Sequence, residues 1–97
     1  MLLAITPLAA QDLEEIGDYI AQDNPLGAVK FLTELQAHCE IICRNPEGYR
    51  LRQEFSKTMR SCSHGNYMIF FESDFKVVTI IRILHAGRDL GKFFDDI

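Results

Sequence analysis

The first half of the chain carries its apolar residues at helical spacing. Residues 2–5 form a short apolar run that predicts a first strand. Thr6 and Pro7 predict a helix start, because threonine is a favoured N-cap residue and proline at the first helical position loses no hydrogen bond. The helix should end before Asn24, since a residue ahead of proline disfavours helical backbone. Its apolar stripe is spaced by four, three and four residues: Ala9, Leu13, Ile16 and Ile20.

A second helix is predicted from Asn24-Pro25 to about Arg44. The pair repeats the combination of N-cap residue and proline that opens the first helix. Asn45-Pro46-Glu47-Gly48 is typical of a helix end. The tight corner at Asn24-Pro25 therefore predicts two antiparallel helices. The stripe of this helix is again spaced by four and three residues: Ala28, Leu32, Leu35, Cys39 and Ile42.

The second half of the chain changes to the composition of strands. Residues 67–71 and 77–84 are rich in β-branched and aromatic residues, and residues 57–63 give a weaker strand signal. Short turns between these runs predict a three-stranded antiparallel meander, with the first strand joining its edge. The last run is apolar at almost every position, so we expect it inside the sheet. The predicted fold is α+β, in the order β-α-α-β-β-β, with a helical hairpin packed on one face of a small antiparallel sheet.

Composition agrees with one globular domain that spans residues 1–97. The chain has 47% hydrophobic and 25% charged residues and a formal net charge of −4. Residues 1–40 hold seven acids and one base, whereas residues 41–97 hold nine bases and seven acids. A net acidic chain argues against a protein that simply coats nucleic acid. The apolar start is too short for a signal segment or a membrane span.

The cysteines indicate a reducing compartment. An odd and sparse set of three is not a disulfide framework, so we expect a soluble protein in the cytoplasm. Cys39 and Cys43 lie four residues apart, which matches no common zinc-binding pattern. No phosphate-binding glycine loop, nucleophile elbow or pair of catalytic carboxylates is present either. We therefore predict no metal and no cofactor.

Arg82 interrupts the most apolar strand, and strand alternation predicts that it shares a face with Ile80 and Leu84. A charge at such a position is costly unless it is paired or lies at an opening. Arg82 is therefore either a binding residue or a structural residue paired with Glu72 or another carboxylate. By contrast, the acids of the first helix are expected to form a solvated face: Asp12, Glu15 and Asp18.

Further candidate residues follow the strands or precede the hairpin. His85 and Arg88 lie where the last strand exits, which is a common place for binding groups. Each has a structural alternative, in which His85 ends the strand by a hydrogen bond and Arg88 pairs with an acid. Arg60 belongs to a basic segment, residues 44–60, that is either a phosphate contact or a solvated sheet edge. Phe93 and Phe94 have no evident place in the core and either dock on the sheet or await a partner.

Taken together, the chain resembles the ParE family of the RelE/ParE toxin superfamily, the toxins of type II toxin–antitoxin or plasmid stabilization modules. The resemblance covers nearly the whole chain, and its most specific part is the block from Arg82 to Asp89. Other matching residues lie in both helices, at Arg60 and in the strand at 67–71. The helical matches are these: Ala10, Asp12, Leu13, Ile16, Tyr19, Ile20, Asn24, Pro25, Ala28, Phe31, Leu35, Asn45, Pro46 and Gly48.

The resemblance implies a small non-enzymatic toxin that inhibits DNA gyrase by protein contact. It also implies a ParD-like antitoxin that neutralises the toxin in a hetero-oligomer and carries it to promoter DNA. The candidate residues for target binding are then the following: Arg60, Arg82, His85, Arg88, Phe93 and Phe94. No catalytic residue is expected.

Relatives of the RelE branch instead cleave messenger RNA on the ribosome, and this is the alternative function. Cleavage would need cations at the phosphate, for which Lys57, Arg60 and Arg82 are candidates. That branch often places a tyrosine near its C-terminus, and residues 89–97 contain none. A third interpretation is a module that binds an antitoxin and inhibits nothing.

Overall fold

Two helices pack on one face of a five-stranded sheet in the computed structural model, which describes residues 1–87 and Leu90. The first strand, β1, spans Leu2–Ile5. Helix α1 spans Pro7–Ala21 and helix α2 spans Pro25–Ile42. A short 3-10 helix, Pro46–Gly48, leads into the remaining strands. These are β2 (Arg50–Leu51), β3 (Arg60–His64), β4 (Tyr67–Ser73) and β5 (Val77–His85).

Both predicted helix starts are confirmed in atomic detail. Thr6 accepts a hydrogen bond from the backbone N–H of Ala9 at 3.0 Å, and Asn24 accepts one from Gly27 at 2.9 Å. Each side chain satisfies a donor that the first turn of a helix leaves without a partner. The second helix ends at Ile42, two residues before the predicted end.

The sheet has the strand order β1-β5-β4-β3-β2. The meander β3-β4-β5 is antiparallel as predicted, and β1 joins its edge parallel to β5. The sheet is therefore mixed, because β1 and β5 are parallel whereas the other neighbouring strands are antiparallel. The last strand is internal, as its sequence predicts, with β1 on one side and β4 on the other.

Two details of the strands differ from the sequence prediction. The weak strand expected at 57–63 begins only at Arg60, since the preceding residues form turns held by Arg52 and by the hydroxyls of Ser56 and Thr58. A two-residue strand, β2, pairs with β3 and has no counterpart in the prediction. Two residues are too few to show an alternating pattern.

The core lies between the helices and the sheet. Its fully buried strand residues alternate along β4 and β5, so that Ile69 and Phe71 meet the helices. Tyr67 is partly buried against the same cluster, so the alternating residues Tyr67, Ile69 and Phe71 all contribute to this core. Phe70 points to the opposite face, where it packs with Met59 and Leu84. This second cluster means that the internal strands are covered on both faces.

Candidate functional site

A groove runs between the helical hairpin and the end of the sheet. It encloses about 810 Å³ and lies where α1, α2, the β3–β4 turn and the end of β5 meet. One side presents carboxylates of α1, and the other presents aromatic rings. We call this feature the groove and define it by its lining residues: Asp12, Glu15, Ile16, Tyr19, Ile20, Phe31, Gly65, Asn66, Tyr67, Ile83, Leu84 and His85.

A β-bulge in β5 shapes the floor of the groove. Phe71 pairs with Ile80 and Phe70 pairs with Arg82, so Ile81 is an extra residue without a partner on β4. A bulge turns the following side chains relative to regular alternation. The expectation that Ile80, Arg82 and Leu84 share one face is therefore wrong. Ile80 belongs to the cluster under the helices, whereas Leu84 belongs to the cluster on the opposite face.

Asp12 pairs with Arg82 at this bulge. Arg82 donates from Nε to Asp12 Oδ2 at 2.8 Å and from Nη2 to Oδ1 at 2.9 Å, which is a bidentate arrangement. The backbone N–H of Ile83 donates to the same carboxylate at 3.0 Å. The hydrogen bond from Arg82 to Asp12 is also the main reason that the pKa of Arg82 is raised. One carboxylate thus satisfies both a guanidinium and a backbone donor beside the bulge.

The prediction that Asp12 lies on a solvated helix face is wrong. The residue is only 6% exposed, whereas Glu15 and Asp18 are exposed as predicted. Asp12 lies three residues after Ala9 and four before Ile16, both of which are buried. That spacing places it on the inner side of the helix and is the signal that could have identified it.

Thr6, the N-cap residue of α1, forms hydrogen bonds with the backbone of β5 at the same bulge. The hydroxyl of Thr6 donates to the carbonyl of Ile81 at 2.8 Å while it accepts from Ala9. The carbonyl of Ile80 accepts a hydrogen bond from the backbone N–H of Thr6 at 3.1 Å. The carbonyls of Ile80 and Ile81 thereby hold the start of α1 against β5.

The sequence predicts that Arg82 is either a binding residue or a structural residue paired with a carboxylate. The structure shows the carboxylate pairing, and the partner is Asp12 and not Glu72. Glu72 instead accepts a hydrogen bond from the hydroxyl of Thr58. The side chain of Arg82 is 13% exposed. Its use in target binding stays a prediction.

The aromatic wall of the groove is a set of rings in edge contact. Phe31 of α2 lies 5.6 Å from the ring of Tyr67, and Tyr67 lies 5.4 Å from the ring of His85. Gly65 in the β3–β4 turn adopts a φ of 58° and approaches Phe31, so a side chain at this position would be strained. The wall is therefore fixed by both the helix and the hairpin.

His85 is the last residue of β5 and is exposed at one end of the groove. Its Nδ1 accepts a hydrogen bond from the backbone N–H of Gly87 at 3.1 Å. The ring of His85 also contacts the ring of Tyr67, which is its partner in the register between β4 and β5. The histidine thus forms the predicted hydrogen bond at the end of the strand and also lines the groove, and its use in target binding stays a prediction.

Arg60 lies in β3, which is separated from β5 by one strand, and it is not among the residues that line the groove. Its Nη1 donates to the carbonyl of Tyr49 at 2.7 Å and, more weakly, to that of Glu47 at 3.4 Å. The residue therefore joins β3 to the 3-10 segment that precedes β2. Among the candidate residues that the structure describes, Arg82 and His85 meet at the groove and Arg60 does not.

The rest of the basic segment divides between structure and solvent. Arg52 donates to Ser61 at 3.1 Å and forms an ion pair with Glu54 at 3.2 Å. Its guanidinium also lies over the rings of Phe55 and Phe70, at 5.1 and 5.6 Å from their centroids. Arg44, Arg50 and Lys57 are exposed. Two of the five bases of residues 44–60, Arg52 and Arg60, are thus bonded to groups of the protein itself.

Three predicted site residues fall outside the described residues: Arg88, Phe93 and Phe94. Within residues 1–87 and Leu90, no group of three His, Cys, Asp or Glu residues is arranged to hold a metal ion. All three cysteines are free thiols, and burial raises the pKa of both Cys39 and Cys62 to about 11. Among the helices that the structure describes, none has the length and apolar character of a membrane span.

The arrangement of a helical hairpin on a mixed sheet, with a groove between them, defines a small α+β domain. The family model of the ParE toxin of type II toxin–antitoxin systems, parDE, matches residues 3–90. The chain therefore belongs to the ParE toxin family.

A solved structure shares the fold. It is a chain of the chromosomal ParDE TA system from P. aeruginosa, which superposes with a TM-score of 0.76 at 22% sequence identity. The match covers 88% of this chain and 95% of that chain. No curated protein matches the sequence.

Proposed function

We propose that this toxin acts in the cytoplasm by binding DNA gyrase, without catalysing a reaction itself. Membership of the ParE family supports this proposal, and so does the state of the basic residues. A ribonuclease needs cations that are available to a phosphate in the transition state. Two of the three candidate cations, Arg60 and Arg82, are bonded to groups of the protein itself. That observation favours binding over RNA cleavage.

The antitoxin is proposed to be ParD-like and to bind at the groove. The groove offers apolar and aromatic surface beside the carboxylate of Glu15. Because Arg82 already neutralises Asp12, the remaining acidic character comes from Glu15 and the outer faces of the helices. A segment that carries apolar residues together with lysine or arginine would complement this surface.

The choice of target is tested with purified protein in two parallel assays. One assay measures DNA supercoiling by gyrase, and the other measures cleavage of messenger RNA on programmed ribosomes. We expect loss of supercoiling and intact RNA. Unchanged supercoiling at excess protein, together with cleavage at the ribosomal A site, would contradict the proposal in favour of the ribonuclease. No effect in either assay would favour a module that only binds its antitoxin.

The antitoxin site is tested with two exposed apolar residues of the helical hairpin. Tyr19 lines the groove and is 69% exposed, whereas Leu26 is 83% exposed and is not among the lining residues. We expect Tyr19→Ser to weaken binding of a ParD-like antitoxin by about tenfold or more, since tyrosines are frequent hot spots. The matched control, Leu26→Ser, should leave the affinity within about twofold of the native protein. Equal losses for both variants in calorimetric titration would place the contact elsewhere.

A further inference from the structure

A pair of histidines connects α2 to β3 behind the aromatic wall of the groove. The Nδ1 atoms of His38 and His64 lie 2.9 Å apart, which is a hydrogen-bond distance. The two residues are 26 positions apart in the chain and both are half-buried. A hydrogen bond between two imidazole nitrogens requires that one donates and the other accepts. The contact therefore depends on the protonation of the pair.

We propose that the histidine pair is a proton-sensitive contact between α2 and the β3–β4 hairpin. The hydrogen bond persists when both imidazoles are neutral and also when one of them is protonated. In both states one Nδ1 atom keeps a free lone pair and can accept the bond. A second proton turns both nitrogens into donors, removes the hydrogen bond and places two cations side by side. The helix and the hairpin then separate at this point.

The surroundings of the pair leave few other charges to compensate. From β3, Cys62 approaches His38 with Sγ at 3.7 Å from Nε2, and burial keeps this thiol neutral. On α2 itself, Cys39 is likewise neutral, and Glu34, one turn earlier, is exposed.

Among the described residues of the neighbouring strands, Tyr67 of β4 contacts Phe31 and the ring of His85 on β5. None of these groups offers a carboxylate to a doubly protonated pair.

The direction of the effect on stability follows from His38. Its pKa is lowered from the ordinary value of 6.5, first by burial and second by the charge of His64. In the unfolded chain the same residue takes up its proton near pH 6.5. The unfolded state therefore binds protons before the folded state does as the pH falls. Stability is fully present above pH 6.5 and is lost as the pH drops below that value.

The effect reaches the groove through ring contacts. His64 lies 5.2 Å from the ring of Phe31, which is itself part of the aromatic wall. Loss of the histidine contact removes one of the supports of Phe31. Acid should therefore loosen the groove before the rest of the domain unfolds.

Thermal unfolding at pH 7.5 and pH 5.5 tests the proposal with matched variants. His64→Asn keeps a polar group near the position of Nδ1 but does not titrate. We expect the fall in Tm of the native protein between the two pH values to exceed that of His64→Asn by about 5 °C. The control His85→Asn removes an exposed histidine and should show the same fall as the native protein. Equal falls for all three proteins would overturn the proposal.

Proton NMR of the histidine rings gives a second readout that does not depend on a variant. The chain has three histidines, so three Cε1–H resonances are followed through the titration. We expect the His38 resonance to titrate below pH 6.5 in two coupled steps, and to return toward pH 6.5 as one step in His64→Asn. Three independent single-step titrations in the native protein would contradict the proposal.

Discussion

Two arginines of the sheet are bonded in different ways. Arg82 meets the carboxylate of Asp12 in a buried, bidentate ion pair at the bulge of β5. Arg60 meets the neutral carbonyls of Tyr49 and Glu47 at the side of the sheet away from α1. Both are charged residues within strands. The two arginines differ in the group that each of their bonds satisfies, which is a buried carboxylate for Arg82 and carbonyls near the surface for Arg60.

A buried carboxylate without its cation is costly, whereas a carbonyl near the surface finds water. Removal of one partner of a buried ion pair costs about 3–5 kcal/mol, and loss of an ordinary hydrogen bond costs about 0.5–1.5 kcal/mol. We infer that the bulge carries more of the stability of the fold than the edge strands do. The following three predictions test this comparison.

The largest effect is expected for Asp12→Ala. The variant removes the carboxylate that accepts from Arg82 and from the N–H of Ile83 in a buried ion pair, so the free energy of unfolding should fall by about 3–5 kcal/mol. Urea denaturation measures this change. The control Glu14→Ala removes an exposed acid of the same helix and should change stability by less than about 0.5 kcal/mol.

A double variant separates the ion pair from other effects of the Asp12 substitution. Asp12→Ala combined with Arg82→Met removes both charges, and part of the lost stability should return. A cost below about 1 kcal/mol for Asp12→Ala alone would show that the pair contributes no more than a surface salt bridge.

An intermediate effect is expected for Thr6→Ala. The variant loses the N-cap of α1 and leaves the carbonyl of Ile81 without the hydroxyl donor, which together should cost about 1–2 kcal/mol. Thr6→Ser retains the hydroxyl and should keep most of this stability. If serine and alanine were equally destabilising, the methyl group of Thr6 rather than its hydroxyl would be the important part.

The smallest effect is expected for Arg60→Met. Its carbonyl partners lie near the surface, so the free energy of unfolding should fall by only about 1 kcal/mol. Lys57→Met, which alters an exposed residue of the preceding turn, is the control and should have almost no effect. A cost for Arg60→Met as large as that for Asp12→Ala would remove the distinction between the two arginines.

Much of the fold could be predicted because its signals are local. Thr6-Pro7 and Asn24-Pro25 predict the two helix starts, since an N-cap and a proline act within one turn. The internal position of β5 follows from its nearly continuous apolar sequence. The bulge at Ile81 has no such signal, because a bulge is a property of the register between two strands and not of one strand.

The candidate site could be predicted only in part. The sequence places His85 at the end of a strand, where groups are often presented to a ligand. Acids on a helix are usually exposed, so the sequence predicts a solvated Asp12, but its partner Arg82 is 70 positions away in the chain. No local pattern reveals a partner at that distance.

The sequence by itself determined the family, the order of the longer helices and strands, and the positions of the two helix starts. These features depend on contacts within a few residues, or on the apolar periodicity of a single element. Only the tertiary structure decided that Asp12 pairs with Arg82 and that the Nδ1 atoms of His38 and His64 lie within hydrogen-bond distance. It also decided that Thr6, besides capping α1, donates a hydrogen bond to the bulge of β5. Each of these contacts satisfies a polar group that folding removes from water, and its partner is fixed by how the helices pack on the sheet.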